Sequence, residues 1–594
     1  METPYCLTIG AKMSSRMNRL TRSRSGYSLV VEIRASDPPH AACLTVGAVG
    51  SACVGQGRSP DRCSIGREFS YALIAPVAAL PGKSLRAALE RLVDAELIFQ
   101  RGIAPDATYQ FKHALVQDAV YGTLLRSRRQ QLHEQIAKTL DEQFPDVVAR
   151  EPEVLAHHFT AAGLTERGIL YWQRAGQQAS DRSANVEAAA HFNAGLELLK
   201  QLPDTPTRAH QELRLIVGLG AALIVIKGHA SAEVERCYLK ARELCLQVGE
   251  TPELAPTLFG LWRFYIVRTR LKTARELGET LLRLAEHDPS LSVVAHCALG
   301  ATAFYSGVLV DSRKHLEEAV QRYTPNLRDS PAFRIGRDPR VGCLMYAGWA
   351  LWILGFPDQA AARMHEGNMM AGELSHPFTL AFARFWAAGL SQMRREVAAV
   401  LEQAEATLAL ATEHGFPHWA ALGATLRGWA LAMRDKSEEG MAQLCQGIAD
   451  WRATGATLVV PYVLTLRAEA SCLLGHIEES FRSLDDAQAV LEQQEDRWWE
   501  AEIYRLRGML LLRQSIIPEV EAEAWLRRAL DVAQSQQAKS LELRAATSLA
   551  HLWHAQGKHS KAHDLLSPIY RWFTEGFDTI DLKDAKELLA QLSV

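Results

Sequence analysis

The stretch "TLRGWALAM", residues 425–433, returns 40 residues later as "TLRAEASCL", residues 465–473, and again as "RLRGMLLLR", residues 505–513. The same step in both directions gives Gly348, Ala388, Gly428, Ala468, Gly508 and Ser548, all small. Two residues before them stand Tyr346, Trp386, Leu426, Leu466, Leu506 and Ala546; two after stand Ala350, Leu390, Ala430, Ala470, Leu510 and Ala550. Every flanking residue is apolar. Hydrophobic positions recur at gaps of three and four, and Gly or Pro breaks separate the helical stretches. A fixed internal period with these properties marks stacked helical hairpins. The small residue on the first helix of each pair lets the second approach closely. One hairpin cannot bury its apolar stripe alone, so neighbours stack and share a core. Residues 340–594 are therefore predicted to form regular 40-residue hairpins. Over 146–323 the hairpins are less regular, at 151–180, 183–249, 252–287 and 291–323. The segment "TPNLRDSPAFRIGRDP", residues 324–339, breaks the phase and is predicted to be a loop.

Residues 65–145 have a different pattern. "REFSYALIAPVAAL" places Phe69, Leu73, Ile74 and Val77 at helical spacing, and Pro81-Gly82 ends that run. A second helix carries Leu85, Leu89, Leu92 and Val93. Two short β-like runs, "ELIFQR" and "TYQFK", flank the turn-rich "GIAPDA". Helices resume with "HALVQDAVYGTLL" and "RRQQLHEQIAKTLDEQF". Helix, helix, hairpin, helix is the order of a winged helix. The tripeptide Gly82-Lys83-Ser84 could end a phosphate-binding loop, but such a loop needs glycine five residues before Gly82, and Val77 stands there. It must also follow a buried strand. Pro81-Gly82 is read instead as an interhelical turn, with Ser84 as N-cap and Lys83 in solvent.

The 594 residues are 48% hydrophobic and 22% charged, with a net charge of −3. That balance gives no field for nucleic acid or an anionic membrane. "LIVGLGAALIVI", residues 215–226, is 12 residues long, against the ~20 needed to span a bilayer, and reads as a buried helix. No secretory signal is expected. Cys43, Cys53 and Cys63 are spaced ten apart, which fits no zinc-ligand pattern. Free thiols in a cytoplasmic protein are expected. Residues 1–64, rich in Ser, Gly, Arg and Cys, show neither period and are expected to be disordered.

The blocks "IGREFSYALIAPVA", "YQFKHALVQDAVYGTLL", "RRQQLHEQIAKTLDEQFP", "LAHHFTAAGLTERGILYWQRAGQQA" and "WFTEGFDTIDLKDAKELLAQL" together resemble one family. It comprises bacterial class III adenylate/guanylate cyclase-like proteins with a signal-transduction ATPase module and C-terminal tetratricopeptide repeats. The resemblance covers residues 65–594, the winged helix and the repeats. It implies an upstream cyclase domain and P-loop ATPase. No Gly-x-x-x-x-Gly-Lys-Ser/Thr occurs in the chain, and no cyclase-like pair of metal-binding aspartates is seen. The expectation is an N-terminally truncated or frame-disrupted relative.

The resemblance also implies a role for His113. Its ATPases carry a winged-helix histidine that senses nucleotide phosphates, and "FKHALVQD" resembles that motif, with Ala114 in place of its Asp. His113 is thus a vestigial nucleotide-sensor candidate. Arg427, Arg467 and Arg507, each just before a small residue, are candidates for a basic ladder that binds acidic or carboxylate-ended peptides. Pairing with neighbouring Glu residues is the alternative. His551, His554, His559 and His563 are not read as a metal site. His133-Glu134 begins a zinc-protease pattern, but residue 137 is Ala. Trp498-Trp499 is read as packing. No catalytic set, cofactor or metal is expected.

The sequence thus predicts a mostly α protein, a winged-helix-like domain followed by a tetratricopeptide-like solenoid whose groove takes a protein or peptide. It is expected to be a non-catalytic interaction or signal-reception module, without membrane or nucleic-acid partners. One alternative is part of an adenylate cyclase or ATP-binding regulator whose catalysis is supplied elsewhere. Another is a repeat-containing transcriptional activator. The chain's ending, "DLKDAKELLAQLSV", holds no basic recognition helix.

Overall fold

The computed structural model describes residues 22–23, 26–27, 68–78, 80–112, 121–122, 124–249, 251–329, 338–514 and 519–593. Apart from a two-residue ladder, Arg22–Ser23 with Gly26–Tyr27, the readings made for residues 1–64 lie outside these. The chain divides into two compact units, Met1–Gln178 with His191–Pro203, and Ala179–Ala190 with Asp204–Val594.

The first unit opens with β1 (Glu68–Ser70), α1 (Tyr71–Val77), α2 (Gly82–Asp94), β2 (Ile98–Arg101) and β3 (Thr108–Phe111). The expected helix–helix–hairpin order is present. The sheet is antiparallel in the order β1-β3-β2. Two local expectations need correcting. Phe69 lies on β1 rather than in a helix, because Ser70 caps α1, its hydroxyl accepting from the Leu73 amide at 3.1 Å. Phe69 pairs with Tyr109 in register and stacks on its ring at 5.5 Å. Ser84 is not an N-cap, since α2 starts at Gly82 with Pro81 at the cap. The rigid φ of proline leads into the first turn there and leaves Ser84 within it. Lys83 is exposed. Leu85, Leu89, Ile74 and Ile98 bury the sheet against the helices. Beyond it come α3 (Arg126–Gln143), α4 (Pro145–Arg150) and α5 (Pro152–Ala162), which ends at Gly163 in the left-handed region. Helices α6 (Thr165–Asp181) and α7 (Asn185–Leu199) follow.

The long stretch of the second unit, Asp204–Val594, begins with α8 (Pro206–Lys227) and α9 (Ala232–Val248). The apolar run 215–226 is the end of α8, which has 22 residues. Among the described residues it is the one helix long and apolar enough to cross a membrane, and half of its apolar window is buried within the protein. Paired helices then succeed one another: α10 (Leu254–Val267) with α11 (Leu271–Ala285), and α12 (Ser292–Tyr305) with α13 (Leu309–Arg322). Pro325–Asp329 forms a 3-10 turn within the expected loop. The regular array follows. Its first helices are α14 (Pro339–Ile353), α16 (Pro377–Met393), α18 (Pro417–Asp435), α20 (Val460–Leu473), α22 (Glu500–Arg513) and α24 (Lys539–Ala555). Their partners are α15 (Pro357–Glu373), α17 (Val397–Glu413), α19 (Glu438–Ala453), α21 (Ile477–Gln493), α23 (Glu519–Ser535) and α25 (His559–Trp572); α26 (Ile580–Leu592) closes the array.

The six small residues sit where the period places them, on the first helices. A Cβ on Gly428 would lie 2.4 Å from the Leu444 amide nitrogen and 2.7 Å from the Gly440 carbonyl oxygen. On Gly348 it would lie 2.7 Å from Met364 Cε, and on Gly508 2.8 Å from Leu526 Cγ. The first and second helices of each pair touch through these gaps.

The array also bonds to itself at long range. The amides of Thr457 and Leu458 both donate to the Val267 carbonyl at 3.0 Å, and the Arg497 amide donates to the Tyr305 carbonyl at 2.8 Å. Contacts of this kind join residues from 187 to 223 positions apart. One coil of this unit therefore takes several 40-residue hairpins, and successive coils share backbone hydrogen bonds. Aromatic rings on neighbouring first helices pack together, and rings from the segment just ahead of α22 join them. Trp349 lies 4.1 Å from Trp386 and 5.3 Å from Trp498, and Phe304 lies 5.0 Å from Trp498, all between ring centroids. Trp498 and Trp499 are buried in this cluster. Every residue of α14 except Arg340 is buried, since one face meets α15 and the other meets these rings.

Candidate binding cavity

Where the aromatic filling stops, the first helices α18, α20 and α22 border a cavity of about 340 Å³. Its walls are apolar: Val397, Trp429, Met433, Leu506, Met509 and Leu510. Set into them are Glu469, Arg395, Arg505, Arg513 and Arg544. Three of the four arginines are neutralised by the protein. Arg505 makes a two-armed pair with Glu502 at 2.8 and 2.9 Å and reaches the Ser548 hydroxyl at 3.3 Å. Arg544 pairs with Asp581 at 2.8 Å and Glu502 at 3.3 Å, and also donates to the Met393 carbonyl. Arg395 lies 3.3 Å from Asp581 and 3.5 Å from Asp584. Burial pushes the Glu502 carboxyl up, but Arg505 and Arg544 outweigh it and hold the group at about 2.

Glu469 and Arg513 are different. Neither has an oppositely charged side chain within 4.0 Å among the described residues. Glu469 accepts one long hydrogen bond, 3.3 Å, from the Trp429 indole N–H. Burial, then the nearby Glu502 charge, raise its pKa against the opposing pull of Arg505, Arg395 and Arg544. Arg513 ends α22 and donates to the Cys472 sulfur at 3.1 Å.

The sequence carries a signal for both. The 40-residue register places Glu469 where the other hairpins have Trp349, Gly389, Trp429, Met509 and Leu549. It places Arg513 where they have Ile353, Met393, Met433, Leu473 and Trp553. Each is the single charged residue in an otherwise uncharged column, and both columns open on the same cavity.

The residues singled out from sequence fall elsewhere. Arg427 pairs with Glu405 at 3.1 Å and donates to Gln443 at 2.7 Å. Arg467 donates to Ser483 at 2.7 Å and lies 3.4 Å from Asp486. Arg507 pairs with Asp485 at 2.5 Å and lies over the Trp525 ring, 4.9 Å from its centroid. All three reach toward second helices. His113 lies outside the described residues. His133 is buried: its Nε2 lies 2.8 Å from the Tyr121 hydroxyl and its Nδ1 3.0 Å from His158 Nδ1. His554 and His559 face each other at 2.8 Å, and His563 lies 3.8 Å from Asp564; His551 is exposed. Among the described residues, no group of three His, Cys, Asp or Glu is placed to hold a metal ion.

No family model matches the sequence. An uncharacterized protein of Rhizobium meliloti (strain 1021) is 26% identical over 485 residues, 80% of this chain and 47% of its own length. The chain thus spans about half the length of the curated relative it matches. Among solved structures, a Rap protein complexed with Competence and Sporulation Factor is similar over 67% of this chain and 99% of its own, at 11% identity and a TM-score of 0.43. The Cut9–Hcn1 hetero-tetramer of the APC/C covers 81% and 86%, at 11% and 0.42. A Signal Transduction ATPase with Numerous Domains with a tetratricopeptide repeat sensor, from Pyrococcus horikoshii, covers 93% and 65%, at 11% and 0.30. The chain itself is a mostly helical, tetratricopeptide-like array of hairpins with one small three-stranded sheet near the start of the described residues.

Proposed function

We propose that this chain is a non-catalytic interaction and signal-reception module, the regulatory half of a cyclase/ATPase-type signalling protein. The observation that carries the reading is the coiled hairpin array with an open, charge-bearing cavity between successive first helices. A rigid array of this kind suits recognition: its side chains are held by hairpin packing and its coils by backbone hydrogen bonds. The partner-binding role of Arg427, Arg467 and Arg507 belongs to this proposal. Their side chains keep 31%, 26% and 22% of their exposure. A partner's carboxylates would compete there with Glu405, Asp486 and Asp485.

Two measurements test the proposal. Calorimetry with Mg·ATP on the purified chain is expected to show no binding, and micromolar affinity would overturn the non-catalytic reading. Affinity capture from the native host is expected to recover one defined protein with the wild-type chain and less of it with the Arg427→Ala, Arg467→Ala, Arg507→Ala triple variant. Equal recovery by both would remove the ladder from the proposal.

A further inference from the structure

We propose that the cavity between α18, α20 and α22 binds a small zwitterion with an apolar body, an apolar α-amino acid or dipeptide. The ligand's ammonium pairs with Glu469, its carboxylate with Arg513, and its side chain with the Met433, Leu506 and Met509 wall. The inference rests on the signal-reception reading and supplies its signal.

Three observations combine. The volume, about 340 Å³, lies in the range of roughly 300–1,000 Å³ that small-molecule sites occupy. The lining is mostly apolar with a few convergent polar groups, which is the usual division between affinity and orientation in such sites. Most telling is the charge pattern. The chain neutralises Arg395, Arg505 and Arg544 with its own Asp581, Asp584 and Glu502. It leaves one carboxylate, Glu469, and one exposed guanidinium, Arg513, on the lining of the same cavity, neither in an ion pair with a described residue. Cys472, which Arg513 touches, is three residues beyond Glu469 on α20 and on the same helix face. The two charges are therefore near neighbours along one wall. A carboxylate and a guanidinium so placed, without an ion-pair partner, match the two ends of an amino acid. A purely anionic ligand would meet like charge at Glu469, and a purely cationic one would meet like charge at Arg513.

The test uses the full chain, with calorimetry and thermal shift against free leucine, isoleucine, methionine, phenylalanine and their dipeptides. Each is run beside its N-acetyl and C-amide forms. At least one free form is expected to bind, with losses of about tenfold for the N-acetyl forms, whose lost partner is the part-buried Glu469, and smaller losses for the C-amide forms, because Arg513 is exposed. Glu469→Gln, which keeps an acceptor for Trp429, is expected to bind the free and N-acetyl forms equally. Arg513→Met is expected to bind the free and amide forms equally. The second readout is alkylation of Cys472 by N-ethylmaleimide, followed by peptide mass spectrometry, and bound ligand is expected to slow it. The proposal is overturned if no compound binds at millimolar concentration, or if both variants discriminate between the forms as the wild type does. A chain that binds no amino acid yet captures its protein partner sinks this inference alone and leaves the interaction reading in place.

Discussion

The Val459 amide donates a 3.0 Å hydrogen bond to Asp496 Oδ2, while Oδ1 of the same buried carboxyl has no partner. The bond ties the loop ahead of α22 to the start of α20, beside the residues that bond Val267. Burial raises the Asp496 pKa to about 7, against the lowering effects of the Val459 hydrogen bond and Arg497. The unfolded carboxyl ionises near 3.8, so between pH 4 and 7 the folded chain holds a proton that the unfolded chain has released. Stability due to this group is full below pH 4 and falls as pH rises toward 7, at up to about 1.4 kcal/mol per pH unit. Asp496→Asn keeps the acceptor and removes the titration. Urea melts from pH 5 to 8 are expected to show the variant gaining on the wild type as pH rises. A constant difference would refute the assignment.

Gly428 and Gly372 make an opposed pair. At Gly428 a methyl group would meet backbone atoms of α19 at 2.4 and 2.7 Å, and backbone cannot rotate aside. Gly428→Ala is expected to destabilise by about 1–3 kcal/mol or more, as overpacked cores do. At Gly372, in the last turn of α15, an added Cβ meets nothing within 4 Å. Gly372→Ala is expected to stabilise by about 0.5–1 kcal/mol, because alanine loses less backbone entropy in a helix. Thermal melts of the two variants check both signs.

The fold was legible in the sequence to the extent that it is periodic. Six small residues spaced at 40 locate α14 to α25 because each marks a helix contact within one hairpin. The coil-to-coil contacts, such as Val267 with Thr457, depend on rotation accumulated over four hairpins, and no local pattern encodes that sum. β1 has three residues, too few for an alternation to register. The site was legible in part. Glu469 and Arg513 stand out once their columns are aligned, but Glu502 and Arg505, three apart on α22, look like a solvated surface pair until burial is known.

That last pair separates two kinds of ion pair in one array. Arg427 with Glu405 is partly solvent-screened, and Arg427→Ala is expected to cost within about 1 kcal/mol. Glu502 keeps 2% side-chain exposure and holds both Arg505 and Arg544. Glu502→Gln strands the buried Arg505 guanidinium, leaves Arg544 paired with Asp581 alone, and is expected to cost about 3–5 kcal/mol. Chemical denaturation of both variants is the measurement, and similar losses would show that the α22–α24 cluster is hydrated.

In the first unit, the neighbours His133 and His158 set the response to acid. Burial lowers the His133 pKa to about 4, with His157 and Arg129 adding to it, and burial, then His133 and His157, hold His158 well below its ordinary value. Both imidazoles are neutral when folded, so one Nδ1 donates to the other across 3.0 Å. A depressed base contributes stability above its unfolded pKa near 6.5, and that stability is lost as pH falls through 6.5 toward 4. The slope is opposite to that of Asp496 and belongs to the other unit. Hydrogen exchange followed by mass spectrometry at pH 7 and 5, corrected for the intrinsic rate, is expected to show α3 and α5 losing protection at the lower pH. His158→Asn, which stays uncharged, is expected to reduce that loss. Equal loss in the variant would place the acid sensitivity elsewhere.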